Sequence, residues 1–287
     1  MTASAEPSLS ARQVIDLRDL GGDEFRSVHQ QDNYAGAVFG GQYLAQALVA
    51  ARRTVPDWPI HHCSALFLQA GKAAHPLDFS VTRTRDGKQF AARRVIVSQG
   101  GAPMFDLLCS FQACRDGVRH QLELGSVELP ERLDNLAIFA GKNRHQLDPR
   151  MADLYQRPFP VELRLTEPER LLTREGRGAE QDFWFRMSSA SEVEDQGDHQ
   201  CLLAFMSDYW FAGVAGALHA PTGSASFFAS LNHSMWFHAP ARADQWLYYQ
   251  TESPWAGAGR GLARGFIYNE AGELVASVVQ EVAMGFD

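Results

Sequence analysis

The sequence predicts an α+β protein of two similar halves, each an antiparallel sheet wrapped around one central helix. Two stretches of the 287 residues have the 3.6-residue apolar spacing of a helix. Strand-like segments separated by turn residues follow each stretch, so both halves have the same order of elements. A curled sheet leaves long edges, and we expect the two units to pair back to back and cover them.

The first half has a helix that begins at Gly40-Gly41 and ends before Pro56. Its apolar positions follow the spacing i, i+3, i+4, i+7, and they are Leu44, Ala47, Leu48 and Ala51. Two turn signals, Asp86-Gly87 and Gly100-Gly101, separate the strands after it. These predicted strands are Leu77–Asp86, Gln89–Ser98 and Pro103–Gln112.

The second half repeats this order, with a helix that opens at Ser207-Asp208 and closes at Ala220-Pro221. Its apolar positions are Trp210, Gly213, Val214, Ala217 and Leu218. The strands that follow, with a hairpin turn at 269–272, are Leu247–Ser253, Arg260–Tyr268 and Glu273–Met284. An offset of 170 residues aligns identical residues of the two halves, among them Ser64 with Ser234, which supports a duplication.

These elements divide the chain into three parts. Residues 1–115 form the N-terminal domain, and residues 161–287 form the C-terminal domain that carries the candidate catalytic residues. Residues 116–160 are charged and contain several prolines, which is typical of a connector, here with one short helix.

Composition and charge exclude several classes of protein. With 26 basic and 34 acidic residues the net charge is −8, which argues against a nucleic-acid partner. Four cysteines without a C-x-x-C pair favour neither a zinc site nor a disulfide scaffold. The first seven residues lack the features of a secretory signal, and no apolar stretch approaches the roughly 18 residues of a membrane helix. We therefore expect a soluble cytoplasmic protein without a metal and without membrane insertion.

Asp208 is the strongest candidate for chemistry because it lies at the predicted start of the second helix. An aspartate there is often an N-cap that accepts backbone N–H bonds. A helix N-terminus also favours an ionised carboxylate, which can act as a general base. The first half has no acidic residue at the corresponding place, where its sequence is Val38-Phe39-Gly40-Gly41-Gln42. If the halves are duplicates, this asymmetry indicates that one half kept the chemistry and the other serves binding.

Gln280 and Ser230 are further candidates. Gln280 is the only polar member of an alternating apolar set on the last strand, so it needs a partner if it is buried. Its amide can bond a neighbouring backbone group, or it can orient a water or a substrate carbonyl. Ser230 lies in a strand, where serine is common. Periodicity does not show whether these side chains converge on Asp208.

The densest basic cluster of this acidic chain lies in the first half. It consists of Arg83, Arg85, Lys88, Arg93 and Arg94. Such residues can form a solvated strand face, or they can seat a phosphate-bearing ligand. His233 and His238 are five residues apart on a strand, which places them on opposite faces and makes them a poor metal pair.

Longer motifs carry a resemblance to a known family. In the first half they are Val38–Gln42 with Gln46–Leu48, Asp86–Val95 and Ser110–Gln112, and in the second half Ser207-Asp208, Asn232–His238 and Val275–Glu281. Together they make the chain resemble the acyl-CoA thioesterase II family, the double-hotdog acyl-CoA thioesterases. The similarity runs from about Phe25 to Met284 in the family's order.

The resemblance implies a double hotdog that hydrolyses fatty acyl-CoA to a free fatty acid and CoA, with no cofactor. The family's catalytic Asp, Thr or Ser, and Gln correspond to Asp208, Ser230 and Gln280. The implied mechanism is direct attack by a water that Asp208 polarises and that Ser230 and Gln280 orient. The family often has Thr in place of Ser230 and Asp in place of Asn232.

Substrate-binding positions are expected at the first helix start, at two arginines and at one histidine. They are Gly40, Gly41, Gln42, Arg93, Arg94 and His233. Backbone N–H groups near Gly40-Gly41 can meet the oxyanion of the reaction, or these glycines can merely allow close packing.

Two other functions stay open at this stage. A hotdog enoyl-CoA hydratase or dehydratase would pair an Asp with a His such as His233. A non-catalytic acyl-CoA binding protein would use the same fold without turnover. A homo-oligomer, either a dimer or a tetramer, is expected because hotdog sheets commonly associate.

Overall fold

The structure is a computed structural model that describes residues 8–33, 35–172, 178–222 and 225–286. The first seven residues, where the sequence analysis sought a secretory signal, lie outside the described residues. Within the described ranges, twelve strands form one antiparallel sheet that wraps around two central helices. This arrangement confirms the predicted α+β class.

The first half of the sheet is made of β1 Leu17–Gly21, β2 Glu24–Ser27, β3 Ile60–Phe67, β4 Asp78–Asp86, β5 Phe90–Gln99 and β6 Ala102–Gln112. The second half is made of β7 Glu162–Leu165, β8 Phe183–Arg186, β9 Ala225–Phe237, β10 Leu247–Gly257, β11 Arg260–Asn269 and β12 Leu274–Phe286. The α-helices are α1 Ala11–Val14, α2 Gly40–Arg52, α3 Leu136–Lys142, α4 Pro149–Tyr155, α5 Gln196–Ser207 and α6 Phe211–Gly216. Short 3₁₀ turns lie at Pro130–Arg132, Pro168–Leu171, Ser188–Glu192 and Ala217–Thr222.

The strand order has an internal two-fold symmetry. It is β1-β2-β4-β5-β6-β3-β9-β12-β11-β10-β8-β7, so corresponding strands of the halves take mirrored places. The halves therefore join edge to edge through β3 and β9, and not back to back as expected. Ser64 and Ser234, which the 170-residue offset aligned, face each other at this junction with their Oγ atoms 2.9 Å apart.

The central helices α2 and α5 pack against each other inside the curled sheet. Eleven of the thirteen residues of α2 are buried, which leaves no polar face for water. The close crossing depends on Gly41, because a Cβ atom there would lie 2.3 Å from the Phe205 carbonyl oxygen of α5. Gly41 thus allows close packing, and the elements that it brings together are the two central helices.

The predicted second helix is wrong in its position. The central helix of this half is α5, which begins after the N-cap Asp195 and ends at Asp208. Trp210 then adopts a left-handed conformation (φ 71°), and the predicted apolar set falls on the short α6 and the 3₁₀ turn after it. Helix α5 is buried all round, so it has no amphipathic period to detect.

Other differences concern short elements. The connector contains two α-helices, α3 and α4, where one short helix is expected. The short strands β1, β2, β7 and β8 at the sheet edges had no alternating pattern long enough to predict.

The helical stretch Gln196–His219 is apolar enough to span a membrane by composition, contrary to the expectation from sequence. It has a mean hydropathy of 1.4, and 72% of its most apolar window is buried inside the protein. Burial between the sheet and α2 accounts for this composition.

Replacing Gly41 with Ala is expected to destabilise the fold. The added methyl group would overlap the Phe205 carbonyl, and overpacking of this kind costs about 1–3 kcal/mol. The matched control is Gly213→Ala in α6, where an added Cβ meets nothing within 4 Å and the free energy of unfolding should stay equal or rise. Urea denaturation measures the free energy of unfolding of both variants. A Gly41→Ala variant as stable as the original chain would contradict the close contact between α2 and α5 at this glycine.

Candidate active site

Polar side chains of the second half meet on the inner face of the sheet where β9 and β12 pair. The Gln280 Nε2 atom donates to Ser230 Oγ at 2.9 Å, and Ser230 Oγ donates to Asp208 Oδ1 at 3.4 Å. The Gln280 amide also donates to the Asp208 carboxylate. The structure thus brings together the three residues that the sequence analysis names as catalytic. The Gln280 amide bonds the side chains of Ser230 and His233, and not the neighbouring backbone group that was one of its two expected partners.

A β-bulge puts Ser230 on the same face as Gln280. Gln280 lies directly opposite His233, whereas Val282 lies opposite Ser230, so β9 has one extra residue between these two pairs. On a regular strand Ser230 and His233 would point to opposite faces because they are three residues apart. The extra residue restores a common face, which is a usual effect of bulges near active sites.

Asp208 lies at the end of a helix and not at its start. It is the C-cap residue of α5, so its predicted role as an N-cap of the following helix is wrong. Its carboxylate instead faces the N-terminus of α2 in the other half, where the Gly41 N–H donates to it. A Cβ atom on Gly40 would lie 2.4 Å from Asp208 Oδ2, so only glycine allows this approach.

This arrangement revises the expected role of Gly40-Gly41. No side chain caps the N-terminus of α2, and its first turn contains no acidic residue. Asp208 supplies the missing acceptor from the other half, where the positive end of the helix dipole favours a carboxylate. The Gly41 N–H that was expected to meet the oxyanion therefore holds the candidate base.

Burial dominates the electrostatics of the site. Desolvation raises the pKa of Asp208, although His233, the Gln280 amide, the Gly41 N–H and the Ser230 hydroxyl all act to lower it. Desolvation also lowers the pKa of His233, against the effects of Asp208 and Gln280. A buried carboxyl with a raised pKa is suited to accept a proton near neutral pH.

The structure does not place His233 where it can bind substrate. Its ring is fully buried, and both ring nitrogens have partners inside the protein. The Nδ1 atom lies 2.5 Å from Gln280 Oε1, and the Nε2 atom lies 3.0 Å from Ser207 Oγ. Sequence reasoning missed Ser207 as part of the site, although it directly precedes Asp208.

Gln42, which was predicted to bind substrate, forms its hydrogen bonds inside the protein. The side chain is fully buried, where its amide donates to the Val14 carbonyl and accepts from the Gln31 N–H. Asn232 pairs with its neighbour across the strands, because its side chain bonds both the backbone and the carboxylate of Glu281.

The predicted phosphate seat does not form as a cluster. Arg93 is fully buried and bonds Thr54 and Asp86, so it cannot meet a ligand. Arg94 points to the opposite face of the sheet, where it forms a bidentate pair with Asp106. Adjacent residues of a strand alternate between faces, which separates the two arginines.

No group of three or more His, Cys, Asp or Glu that could hold a metal occurs within the described ranges. His238 bonds Ser277 and takes no part in the site. The side chains that meet at the site are a buried carboxylate, a hydroxyl and an amide.

Comparison with known proteins agrees with the fold. Residues 29–112 match the acyl-CoA thioesterase N-terminal domain, and residues 130–284 match the acyl-CoA thioesterase C-terminal domain. Acyl-coenzyme A thioesterase 8 of Rattus norvegicus is 35% identical over 96% of this chain and 88% of the rat protein. Acyl-CoA thioesterase 2 of Haemophilus influenzae is 32% identical over 87% of this chain and 88% of that protein.

A solved structure is similar over the full length. The crystal structure of acyl-CoA thioesterase II TesB2 from Mycobacterium marinum has a TM-score of 0.79 and 33% sequence identity, and the match covers 97% of this chain and 99% of that one. The fold and site thus define a double-hotdog hydrolase of acyl thioesters. The chain belongs to the acyl-CoA thioesterase II family and is an acyl-CoA thioester hydrolase.

Replacing Asp208 with Asn is expected to stabilise the fold at neutral pH. Because folding raises the pKa of Asp208, its ionised form destabilises the folded state at a pH above that raised value. The neutral amide removes this cost, so we expect Tm to rise by roughly 2 °C for each kcal/mol recovered.

The sign of this effect is tested by its pH dependence. As the pH falls through the raised pKa, Asp208 becomes neutral in the original chain, so the difference in Tm should shrink. The control is Asp106→Asn, which removes the charge of Asp106 from its ion pair with Arg94 and should not raise Tm. A lower Tm for Asp208→Asn at neutral pH would show that the carboxylate stabilises the fold.

Proposed function

We propose that this acyl-CoA thioesterase cleaves its substrate by direct attack of water, with Asp208 as the general base. The observation that carries the proposal is the buried Asp208 carboxylate, which accepts from Ser230, Gln280 and Gly41. A water bound among the side chains of Asp208, Ser230 and Gln280 has its proton directed at Asp208 and its lone pair directed at the thioester carbonyl. Ser230 and Gln280 then orient the water, as the resemblance to the family implies.

In the proposed reaction the water oxygen bonds to the carbonyl carbon while its proton passes to Asp208. The tetrahedral intermediate collapses, the carbon–sulfur bond breaks, and the CoA thiolate takes the proton from the Asp208 carboxylic acid. The products are a free fatty acid and CoA, and Asp208 returns to its ionised form. Positive charge at the N-terminus of α2 favours the oxyanion of the intermediate.

Ser230 is an orienting group and not a nucleophile in this proposal. Its hydroxyl donates to Asp208 and accepts from Gln280. The histidine nearest in the strand, His233, bonds Ser207 and Gln280, so it does not activate the serine. Intact-protein mass spectrometry during turnover should therefore show no acyl adduct.

A fatty acyl chain fits the apolar surroundings of the helix start. The Phe67 ring approaches Gly40 so closely that a Cβ there would lie 3.2 Å from Phe67 Cε1. Phe67 packs in turn against Tyr43 and Phe105. Trp236 does not belong to these apolar surroundings, because it lies on the outer face of the sheet, where it packs against His62.

Assembly and compartment are part of the same proposal. Leu66, Leu108 and Trp236 are exposed on the outer face of the central strands, which supports association of this chain into a homo-oligomer. Light scattering of the purified protein tests that state. All four cysteines are free thiols, three of them buried, which supports a reducing cytoplasm and is tested by cell fractionation.

Removal of the base is expected to abolish thioester hydrolysis. Asp208→Ala and Asp208→Asn should lower kcat by at least about 10²–10⁴-fold, the usual contribution of a general base. Gln280→Ala should lower kcat more than it raises KM, because it orients the attacking water. Release of free thiol from acyl-CoA substrates of different chain length measures both effects.

Asp182→Asn is the matched control for Asp208→Asn. Asp182 is a second largely buried aspartate whose pKa desolvation raises, but it bonds Thr251 and Tyr248 away from the site. This variant should keep its activity. Full activity in a folded Asp208→Ala variant would refute the assignment of the base.

The pH dependence of kcat/KM should report the raised pKa of Asp208. The base acts in its ionised form, so activity falls as the pH drops through that pKa. We expect the midpoint of this acidic limb clearly above about 3.9, the ordinary value for aspartate. An acidic limb at or below that value, or one that Asp182→Asn also moves, would contradict the role of a buried base.

A further inference from the structure

We propose that His233 is a positioning residue that fixes the orientation of the Gln280 amide. The proposal rests on the proposed role of Gln280 in orienting water. It assigns His233 neither to substrate binding nor to proton transfer with substrate. The observation behind it is a chain of hydrogen bonds that starts at Asp208 and returns to Ser207, the residue before it.

The chain links five side chains through four hydrogen bonds. From Asp208 it passes to Ser230 at 3.4 Å and to Gln280 at 2.9 Å. From Gln280 it passes to His233 at 2.5 Å and to Ser207 at 3.0 Å. The peptide bond between Ser207 and Asp208 closes the loop, so the hydrogen bonds of His233 lead to the base through Gln280 on one side and Ser207 on the other.

The amide of Gln280 has two ends that differ in chemistry. Its NH₂ end must face Ser230 and Asp208, because a carboxylate only accepts hydrogen bonds. Its Oε1 end then faces His233, and a carbonyl oxygen also only accepts. The Nδ1 atom of His233 must therefore carry a proton, whether the ring is neutral or charged.

This proton selects one orientation of the amide. If the amide turned over, its NH₂ group would meet the Nδ1–H of His233 and its oxygen would meet the Asp208 carboxylate. Both contacts would be unfavourable in a buried site, where unsatisfied polar groups are costly. His233 thus holds the donor end of Gln280 toward the position of the attacking water.

Ser207 holds the histidine ring in place at its other end. Because burial lowers the pKa of His233, the ring favours its neutral form, in which a proton on Nδ1 leaves Nε2 as an acceptor. The Ser207 hydroxyl has one proton, which it donates either to Nε2 at 3.0 Å or to the Ala204 carbonyl at 2.9 Å. The His233 ring also packs against Phe211, with the ring centroids 6.3 Å apart in a T-shaped arrangement.

Substitutions of His233 separate the two ends of the ring. In His233→Asn the side-chain nitrogen takes the place of Nδ1, so the donor to Gln280 is kept. In His233→Gln the amide reaches toward the place of Nε2, so the contact with Ser207 is kept and the donor to Gln280 is lost. His233→Leu removes both. The three variants have comparable size, and Tm and circular dichroism verify their folding.

We expect kcat to fall on the order of 10- to 100-fold in His233→Leu and His233→Gln, since misplaced catalytic groups cost this much. KM should stay within about twofold, because no substrate contact is removed. His233→Asn should recover most of kcat. Equal losses in His233→Asn and His233→Leu, or a change in KM alone, would overturn the proposal.

A double-mutant cycle with Gln280→Ala gives a readout that a merely structural role would not move. Once the amide is gone, His233→Leu should lower kcat no further, whereas independent effects on the fold would add. If Gln280→Ala alone keeps full kcat, the proposed role of Gln280 fails. If Gln280→Ala is impaired and His233→Leu is fully active, only the role of His233 fails.

Discussion

The whole active site depends on one buried carboxylate held between two helix ends. Asp208 closes α5 of the second half and at the same time accepts from the Gly41 N–H at the start of α2 in the first half. The negative end of one helix dipole and the positive end of the other therefore meet at the same group. This contact requires the edge-to-edge pairing of the halves and a glycine at position 40, where any Cβ would strike the carboxylate. The proposed chemistry therefore needs both halves of the fold, because each half supplies one side of this contact.

The β-bulge supplies the second constraint. It brings Ser230 onto the face that carries Gln280 and His233, and so completes the set of donors around Asp208. The first half has a register shift at the corresponding place in β3, between Ile60 and His62. Because both halves have it, the irregularity belongs to the repeated unit, and the second half uses it to hold polar side chains.

Sequence reasoning predicted the long strands and the first central helix, because alternation and turn residues are local signals. It failed for α5, since a helix buried on all sides has no amphipathic period. Because of this error Asp208 was predicted at the start of a helix, whereas it lies at the end of α5. Its carboxylate does meet a helix N-terminus, but that of α2 in the other half. Asp208, Gln280 and Ser230 were candidates from the sequence itself, but their joint role came from the resemblance, because no periodicity could show that a bulge aligns Ser230 with Gln280. Arg93 was misplaced because a buried arginine that pairs with an exposed aspartate, Asp86, has the same sequence pattern as a solvated basic strand.

The corresponding place in the first half shows why there is one active site and not two. Strand pairing matches the pair His233 and Gln280 with the pair Cys63 and Cys109, and it matches Ser230 with Ile60. The residues at these three positions are apolar or nearly so and are buried. At the end of α2 the C-cap residue that corresponds to Asp208 is Arg53, and Arg52 before it pairs with two acidic residues at the start of α5, Asp195 and Asp198. Gln200 satisfies the backbone of Ile60. The start of α5 thus has its own carboxylates, whereas the start of α2 takes its carboxylate, Asp208, from the other half, and this difference separates the two junctions.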